Sequence, residues 1–167
     1  MRRLGLLFLL LVLTTACQLQ GLAFIQDRRV EVTSPGYREI VDLPVTVDWD
    51  VTDEDLEASL GDDIQFGVYV DIDPQPPGEP LEYFARDDLR CKRTTGCPDE
   101  KYLRERGVYT TSETEMTFRL LPIAPGVDLE RGDPDFHDVT IVLLNDEGVR
   151  IGESGWSITF EIDREGE

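Results

Sequence analysis

Apolar and polar side chains alternate with a period of two along three stretches of the chain. Over 45–51, valine and tryptophan occupy every second position, with threonine and aspartate between them. The same alternation runs through 64–72 and 156–162. It predicts that one face of 64–72 is buried, namely Ile64, Phe66, Val68, Val70 and Ile72. Each stretch therefore predicts a half-buried β-strand with a solvated outer side.

Shorter apolar runs predict further strands near 29–33, 116–121 and 138–144, with weaker candidates near 81–84 and 108–111. Polar and glycine residues at 145–148 predict a hairpin turn between two of these strands. Gly152 and Gly155 predict a bulge in the last strand, since isolated glycines within a strand pattern are typical of bulges.

Two short helices are predicted in the loops. Thr52 is a suitable cap for a helix over 53–60, with Gly61 at its end. Pro98 suits the first position of a second helix, which ends at Arg106 before a glycine.

Many short strands separated by turn residues favour two packed sheets. The strand count and spacing resemble those of immunoglobulin-like and fibronectin type III-like domains of bacterial surface proteins. The resemblance implies an all-β fold, an immunoglobulin-like two-sheet antiparallel β-sandwich over 29–163, with a C-terminal tail at 164–167. The sequence lacks the inter-sheet cysteine pair of true immunoglobulin domains.

The N-terminal segment has the layout of an export signal. Arg2 and Arg3 precede the apolar run 4–13, and the small residues 14–16 precede Cys17. Residues 13–17 resemble the lipobox of bacterial lipoproteins, with threonine in place of the commoner leucine three positions before the cysteine. The resemblance implies a signal peptide over 1–16, acylation of Cys17, and a lipidated tether over 17–28.

Two other fates of this segment compete with lipidation. Secretion with cleavage at the same place and no lipid is the main alternative, because 14–16 also suits a general signal peptidase. A permanent transmembrane anchor is disfavoured, since the apolar run is about half of the ~20 residues that a spanning helix needs. We expect a cell-envelope protein whose domain lies on the extracytoplasmic side of a membrane.

The charge balance narrows the set of partners. The chain has 16 basic and 35 acidic side chains and a formal net charge of −19, which becomes −21 once Arg2 and Arg3 leave with the signal. Such a chain is repelled by nucleic acids and by anionic lipid head groups. We therefore predict no nucleic-acid partner, and membrane attachment only through acylated Cys17.

Positive charge is concentrated in 86–106, which carries a net charge of +2. Its basic residues, half of those in the mature chain, are Arg86, Arg90, Lys92, Arg93, Lys101, Arg104 and Arg106. In one interpretation they fold back and neutralise acids of the sandwich. In the other they offer donors to a partner with carboxylate or phosphate groups, such as an envelope protein or an anionic polymer.

The same segment contains Cys91 and Cys97, the only cysteines after Cys17. An even pair at this spacing in an oxidising compartment predicts a local disulfide. Closing so short a loop contributes about 2 kcal/mol in the chain-entropy model. A zinc site is disfavoured because the chain has a single histidine, His137.

Catalytic groups are scarce. His137 is the sole conventional base and lies at the start of an apolar strand, where a structural histidine is expected. The predicted function is therefore non-enzymatic binding or scaffolding. The alternatives are a calcium-stabilised surface or adhesion domain and a carboxylate-dependent hydrolase.

Calcium is the one cofactor for which the sequence supplies candidate ligands, since this ion takes clustered oxygen atoms. The predicted sandwich gathers acids at both ends. Those at one end are Asp62, Asp63, Asp146 and Glu147; those at the other are Asp71, Asp73, Asp133 and Asp135. A solvated acidic surface is the alternative.

Overall fold

Eight β-strands form two packed sheets in the computed structural model, which describes residues 29–121 and 133–164. In chain order the strands are β1 (Val30–Ser34), β2 (Ile40–Val41), β3 (Val45–Val51), β4 (Ile64–Val70), β5 (Val108–Thr111), β6 (Glu115–Phe118), β7 (Asp135–Asn145) and β8 (Arg150–Ile162). One sheet has the order β1-β3-β6 and the other the order β2-β8-β7-β4-β5. The predicted all-β two-sheet sandwich is confirmed.

The strand order corresponds to that of immunoglobulin-type sandwiches. There, strands A, B and E share one sheet, while C′, C, F and G share the other. Here β1, β3 and β6 take the first set of places, and β5, β4, β7 and β8 take the second. One pair departs from the predicted antiparallel arrangement, because β2 runs parallel to β8 along Ile40 and Val41.

The main core lies between the sheets and consists of the apolar faces that the alternation predicts. Val45, Val47 and Trp49 of β3 are buried against Phe66 and Val68 of β4. The rings of Trp49 and Phe66 meet edge to face, with centroids 5.3 Å apart. Trp156, Phe160 and Ile162 of β8 complete this layer.

A second apolar cluster lies on the outer face of the five-stranded sheet. Residues 71–107, between β4 and β5, form an insertion that covers this face. Tyr69, Val142 and Leu144 of the sheet are buried there against Leu103 and Val108, with Leu81, Phe84 and Tyr102 packed around them. The expectation of a solvated outer side is wrong for β4, and the second half of β7 is likewise covered on this face.

The alternation predicts that Ile72 is part of the main core. In the structure Ile72 packs against the second cluster instead. The reason lies in the backbone. Strand β4 ends at Val70, and Asp71 has a φ of 55°, which breaks the period of two before Ile72 is reached.

The weak strand predicted near 81–84 is wrong. Leu81–Ala85 forms a 3-10 turn, in which the amide of Tyr83 donates to the carbonyl oxygen of Pro80 at 3.0 Å. Leu81 and Phe84 pack on the sheet from this turn. Their apolar character reflects that packing, and the segment pairs with no strand of the described residues.

Two short α-helices occupy the loops, as predicted, with different caps. Helix α1 (Glu54–Ser59) is capped by Asp53, whose Oδ1 accepts the amide of Leu56 at 3.0 Å. Asp53, and not Thr52, is therefore the cap. Helix α2 (Glu100–Arg104) is capped by Asp99 in the same way, so it begins two residues after Pro98.

Other strand details follow the sequence. The turn at 145–148 joins β7 to β8, and the register of this pair shifts between Ile141 and Leu143, which confirms the bulge. Gly152 lies in the bulge with a φ of 68°. Arg164 is bonded to Asp135 and Leu121, so this residue is part of the domain and not of the predicted C-terminal tail.

Candidate partner-binding site

The outermost part of the insertion is a short loop closed by a disulfide. Cys91 and Cys97 are joined, with their Cα atoms 5.2 Å apart, which confirms the predicted bond. Cys91 is buried and begins a 3-10 turn, Cys91–Arg93. The disulfide therefore joins the two ends of this small loop, and the 3-10 turn begins at one of them.

Asp88 ties this loop to the rest of the insertion. Its Oδ1 accepts the amides of Arg90 at 2.8 Å and Cys91 at 3.2 Å. Its Oδ2 accepts the Tyr102 hydroxyl at 3.1 Å and faces the guanidinium of Arg106 at 3.3 Å. The two amides and then the Tyr102 hydroxyl hold the pKa of Asp88 below its usual range. Asp88 thus joins the 3-10 turn to helix α2 and the residues after it.

Four of the seven basic residues of 86–106 are paired, and all their carboxylate partners belong to the same segment. Arg86 pairs with Asp87, Lys101 with Glu105, Arg104 with Glu100, and Arg106 with Asp88. Arg86 and Arg106 also stack over the rings of Tyr83 and Tyr102, at 4.0 and 3.5 Å from the ring centroids. The segment therefore neutralises its own acids, and within the described residues it forms no ion pair with acids of the sheets.

The other three, Arg90, Lys92 and Arg93, are exposed on the disulfide-closed loop. Within 29–121 and 133–164 none of their side chains forms an ion pair. We call these three residues the basic tip. The disulfide and Asp88 hold the backbone that carries the basic tip.

An open groove adjoins the basic tip. Its volume is about 600 Å³, and Phe84, Leu89, Arg90, Tyr102 and Arg106 are among the residues that line it. The side chain of Leu89 is 64 % exposed, although leucine is usually buried. We call this cavity the tip groove.

The calcium candidates at one end of the sandwich approach each other only in part. Asp62 and Asp146 line the same open cavity of about 250 Å³, together with Gln65 and Ser112. No group of three or more acidic, histidine or cysteine side chains in the described ranges is placed to hold a metal ion.

At the opposite end, two of the four calcium candidates, Asp71 and Asp135, both contact His137. This histidine is fully buried, and its Nδ1 lies 2.6 Å from Oδ2 of Asp71 while its Nε2 lies 3.3 Å from Oδ2 of Asp135. Arg164 bonds the same oxygen of Asp135. The His137 imidazole and the Arg164 guanidinium therefore occupy the places that calcium would take beside these two carboxylates.

The environment of His137 favours its charged form. Burial alone lowers the pKa of this imidazole, but hydrogen bonds and charge attraction, from Asp71 and then from Asp135, outweigh burial and hold the pKa above the ordinary 6.5. The expectation of a structural histidine agrees with this position inside the fold.

Several residues of the site escaped the sequence interpretation. Asp88 precedes Cys91 by three residues, a spacing at which aspartate often bonds the backbone amides of a following turn. This spacing is visible in the sequence and indicates the role of Asp88. The tip groove had no comparable signal, because Phe84 lies in a 3-10 turn and Tyr102 in helix α2, and only the fold brings them together.

Cys17 and the whole of 1–28 lie outside the described residues. In the part of the chain that the structure describes, no helix has the length and apolar character required to span a membrane.

Comparison with protein-family models, curated proteins and solved structures gave no match to this chain.

Proposed function

We propose that this protein is a lipid-anchored component of the cell envelope whose sandwich domain binds a partner that carries carboxylate or phosphate groups. The observation that supports this role most directly is the unpaired basic tip on a braced loop. Binding or scaffolding is the proposed activity, without a catalytic step.

The electrostatics favour a specific contact over general attraction. A mature chain of net charge −21 repels an anionic partner over most of its surface. Arg90, Lys92 and Arg93 offer donors that are not already used, and guanidinium groups bind carboxylate and phosphate through paired hydrogen bonds. An anionic partner is therefore oriented towards the basic tip by repulsion elsewhere.

The anchor proposal rests on the lipobox-like residues before Cys17. The disulfide between Cys91 and Cys97 is in keeping with an oxidising, extracytoplasmic compartment. The acidic domain has no attraction to anionic head groups, and a single acyl chain binds a membrane only marginally. Stable attachment therefore requires a multiply acylated Cys17.

Replacing Cys17 with serine should release the protein from membranes or leave its signal uncleaved, because the thiol that carries the lipid is lost. Cell fractionation and the mass of the mature chain measure this. A variant that is fully processed and still membrane-bound would exclude the lipid anchor.

Replacing Arg90, Lys92 and Arg93 together with alanine should abolish partner binding, with little change in the melting temperature, because these side chains make no ion pair in the described fold. The matched control replaces Arg86, Lys101 and Arg104, which removes the same charge from the same segment. Crosslinking on intact cells, at equal protein levels, should capture the partner with the wild type and the control only. Equal capture by both variants would count against the basic tip.

A further inference from the structure

The charged groups that line the tip groove are already satisfied, apart from Arg90. Asp87 pairs with Arg86 at 3.4 Å, and Asp88 pairs with Arg106 at 3.3 Å. The Tyr102 hydroxyl donates to Asp88, and the guanidinium of Arg106 covers the ring of Tyr102 at 3.5 Å from its centroid. The groove therefore offers a ligand both polar and apolar surface, the apolar part from Phe84, Leu89 and Tyr102, next to the three free charges of the basic tip.

Leu89 is the clearest sign of that apolar contact. It directly precedes Arg90, lines the tip groove and is 64 % exposed, whereas Ala85 and Leu103 of the same insertion are buried. Exposure of one leucine is common at protein surfaces. Aromatic residues and arginine are enriched at protein interfaces, and Phe84, Tyr102 and Arg90 line the same groove as Leu89.

We propose that the partner is an acidic protein segment in which an apolar side chain lies next to carboxylates. The apolar side chain occupies the tip groove against Phe84, Leu89 and Tyr102, and the carboxylates bind Arg90, Lys92 and Arg93. This identification rests on the proposed function. It narrows the partner to a protein, because an anionic polymer binds the three charges and leaves the groove empty.

The site is organised before the partner arrives. The disulfide, the bonds from Asp88 to the amides of Arg90 and Cys91, and the stacking of Arg106 on Tyr102 fix the backbone beneath the contact residues. Binding therefore costs little ordering of the loop, and short peptides suffice to detect it.

The test uses fluorescein-labelled, glutamate-rich peptides that differ at one central position, which is leucine, phenylalanine or serine, and polyglutamate as the polymer probe. The full-length processed protein in detergent micelles is titrated into each. We expect the leucine and phenylalanine peptides to bind about tenfold more tightly than the serine peptide and polyglutamate.

Leu89→Ser should remove that tenfold advantage and leave the affinity for the serine peptide unchanged. Leu120→Ser is the matched control, because Leu120 is 69 % exposed and does not line the groove. Replacing Arg90, Lys92 and Arg93 with alanine should weaken binding of every probe.

The outcomes separate the two proposals. If polyglutamate and the serine peptide bind as tightly as the leucine peptide, and Leu89→Ser changes nothing, the partner is a polymer or a purely charged surface. The protein-segment proposal then fails and the proposed function stands. If the alanine variant at the basic tip binds every probe like the wild type, both fail. Melting temperatures within 2 °C of wild type for Leu89→Ser, as for Leu120→Ser, exclude misfolding as the cause.

Discussion

His137→Leu should lower the free energy of unfolding by about 3–5 kcal/mol, the loss expected when one partner of a buried ion pair is removed. His137 is fully buried between Asp71 and Asp135, and leucine of similar size gives neither carboxylate a donor. Asp135 keeps Arg164, whereas Oδ2 of Asp71 loses its 2.6 Å partner. Chemical denaturation of the purified chain at pH 6 measures the difference.

The same histidine makes stability depend on pH in a defined direction. Because the pKa of His137 is raised in the folded state, its stabilising contribution is complete below pH 6.5, the unfolded value. The contribution is lost as the pH rises through the folded pKa. The free energy of unfolding should therefore fall from pH 6.5 upwards. His137 is the one histidine of the chain, so carboxylates and tyrosines add little in that range.

Asp71→Asn provides the control for this assignment. Asn suits the φ of 55° at position 71, and it removes the charge that raises the pKa of His137 most. The fall in stability above pH 6.5 should then be smaller and end at a lower pH than in the wild type, and it should be absent in His137→Leu. A pH profile of His137→Leu that parallels the wild type above pH 6.5 would assign the dependence to other groups.

The sequence predicted the sheets because the residues of their inner faces pack against one surface only, the opposite sheet. Val45, Val47 and Trp49 meet only the opposite sheet, so the period of two in β3 matches their burial. In β4 the same alternation predicts that only one face is buried. Tyr69 lies on the other face and is also fully buried. A tyrosine between valines predicts a strand equally well with either face exposed. Only the insertion, folded over it, decides which faces are buried.

The insertion itself was the least predictable part. Leu81 and Phe84 support a strand by composition, yet a 3-10 turn places both of them on the sheet. The charge pattern of 86–106 identified the basic residues correctly as a group. It did not separate the basic tip from the four paired residues. Two of the pairs depend on helix α2, which brings Lys101 and Arg104 to acids four residues away. The pair of Arg106 with Asp88 depends on the fold of the insertion.

The acids at the two ends illustrate a related limit. Connectivity alone was enough to bring Asp71 and Asp135 together, because β4 and β7 are neighbours in the sheet. Which group lies between these two carboxylates depends on the face of β7 that each residue of the strand occupies. His137 shares the inner side with Asp135, so an imidazole fills the space that the sequence interpretation offered to calcium.

Tyr69→Ala should destabilise the protein by about 3–5 kcal/mol, as truncation of a fully buried aromatic side chain does. The loss should fall mainly on the insertion. The Tyr69 hydroxyl donates to Oε1 of Gln75 at 2.5 Å, and its ring lies 5.8 Å from that of Phe84, both of them insertion residues. Tyr69→Phe, which keeps the ring but leaves the buried Oε1 of Gln75 without this donor, should cost less, about 1–3 kcal/mol.

Hydrogen exchange distinguishes detachment of the insertion from general unfolding, since regions of a protein open with different free energies. In Tyr69→Ala, amides of 72–106 should lose protection while those of β3 keep it. Tyr37→Ala, at a side chain 71 % exposed, is the control and should change neither. Equal loss in both regions would show that the insertion and the sandwich unfold as one unit. Selective loss should also weaken binding at the untouched basic tip, because the disulfide orders only its own small loop, and Tyr69 holds the surface that carries it.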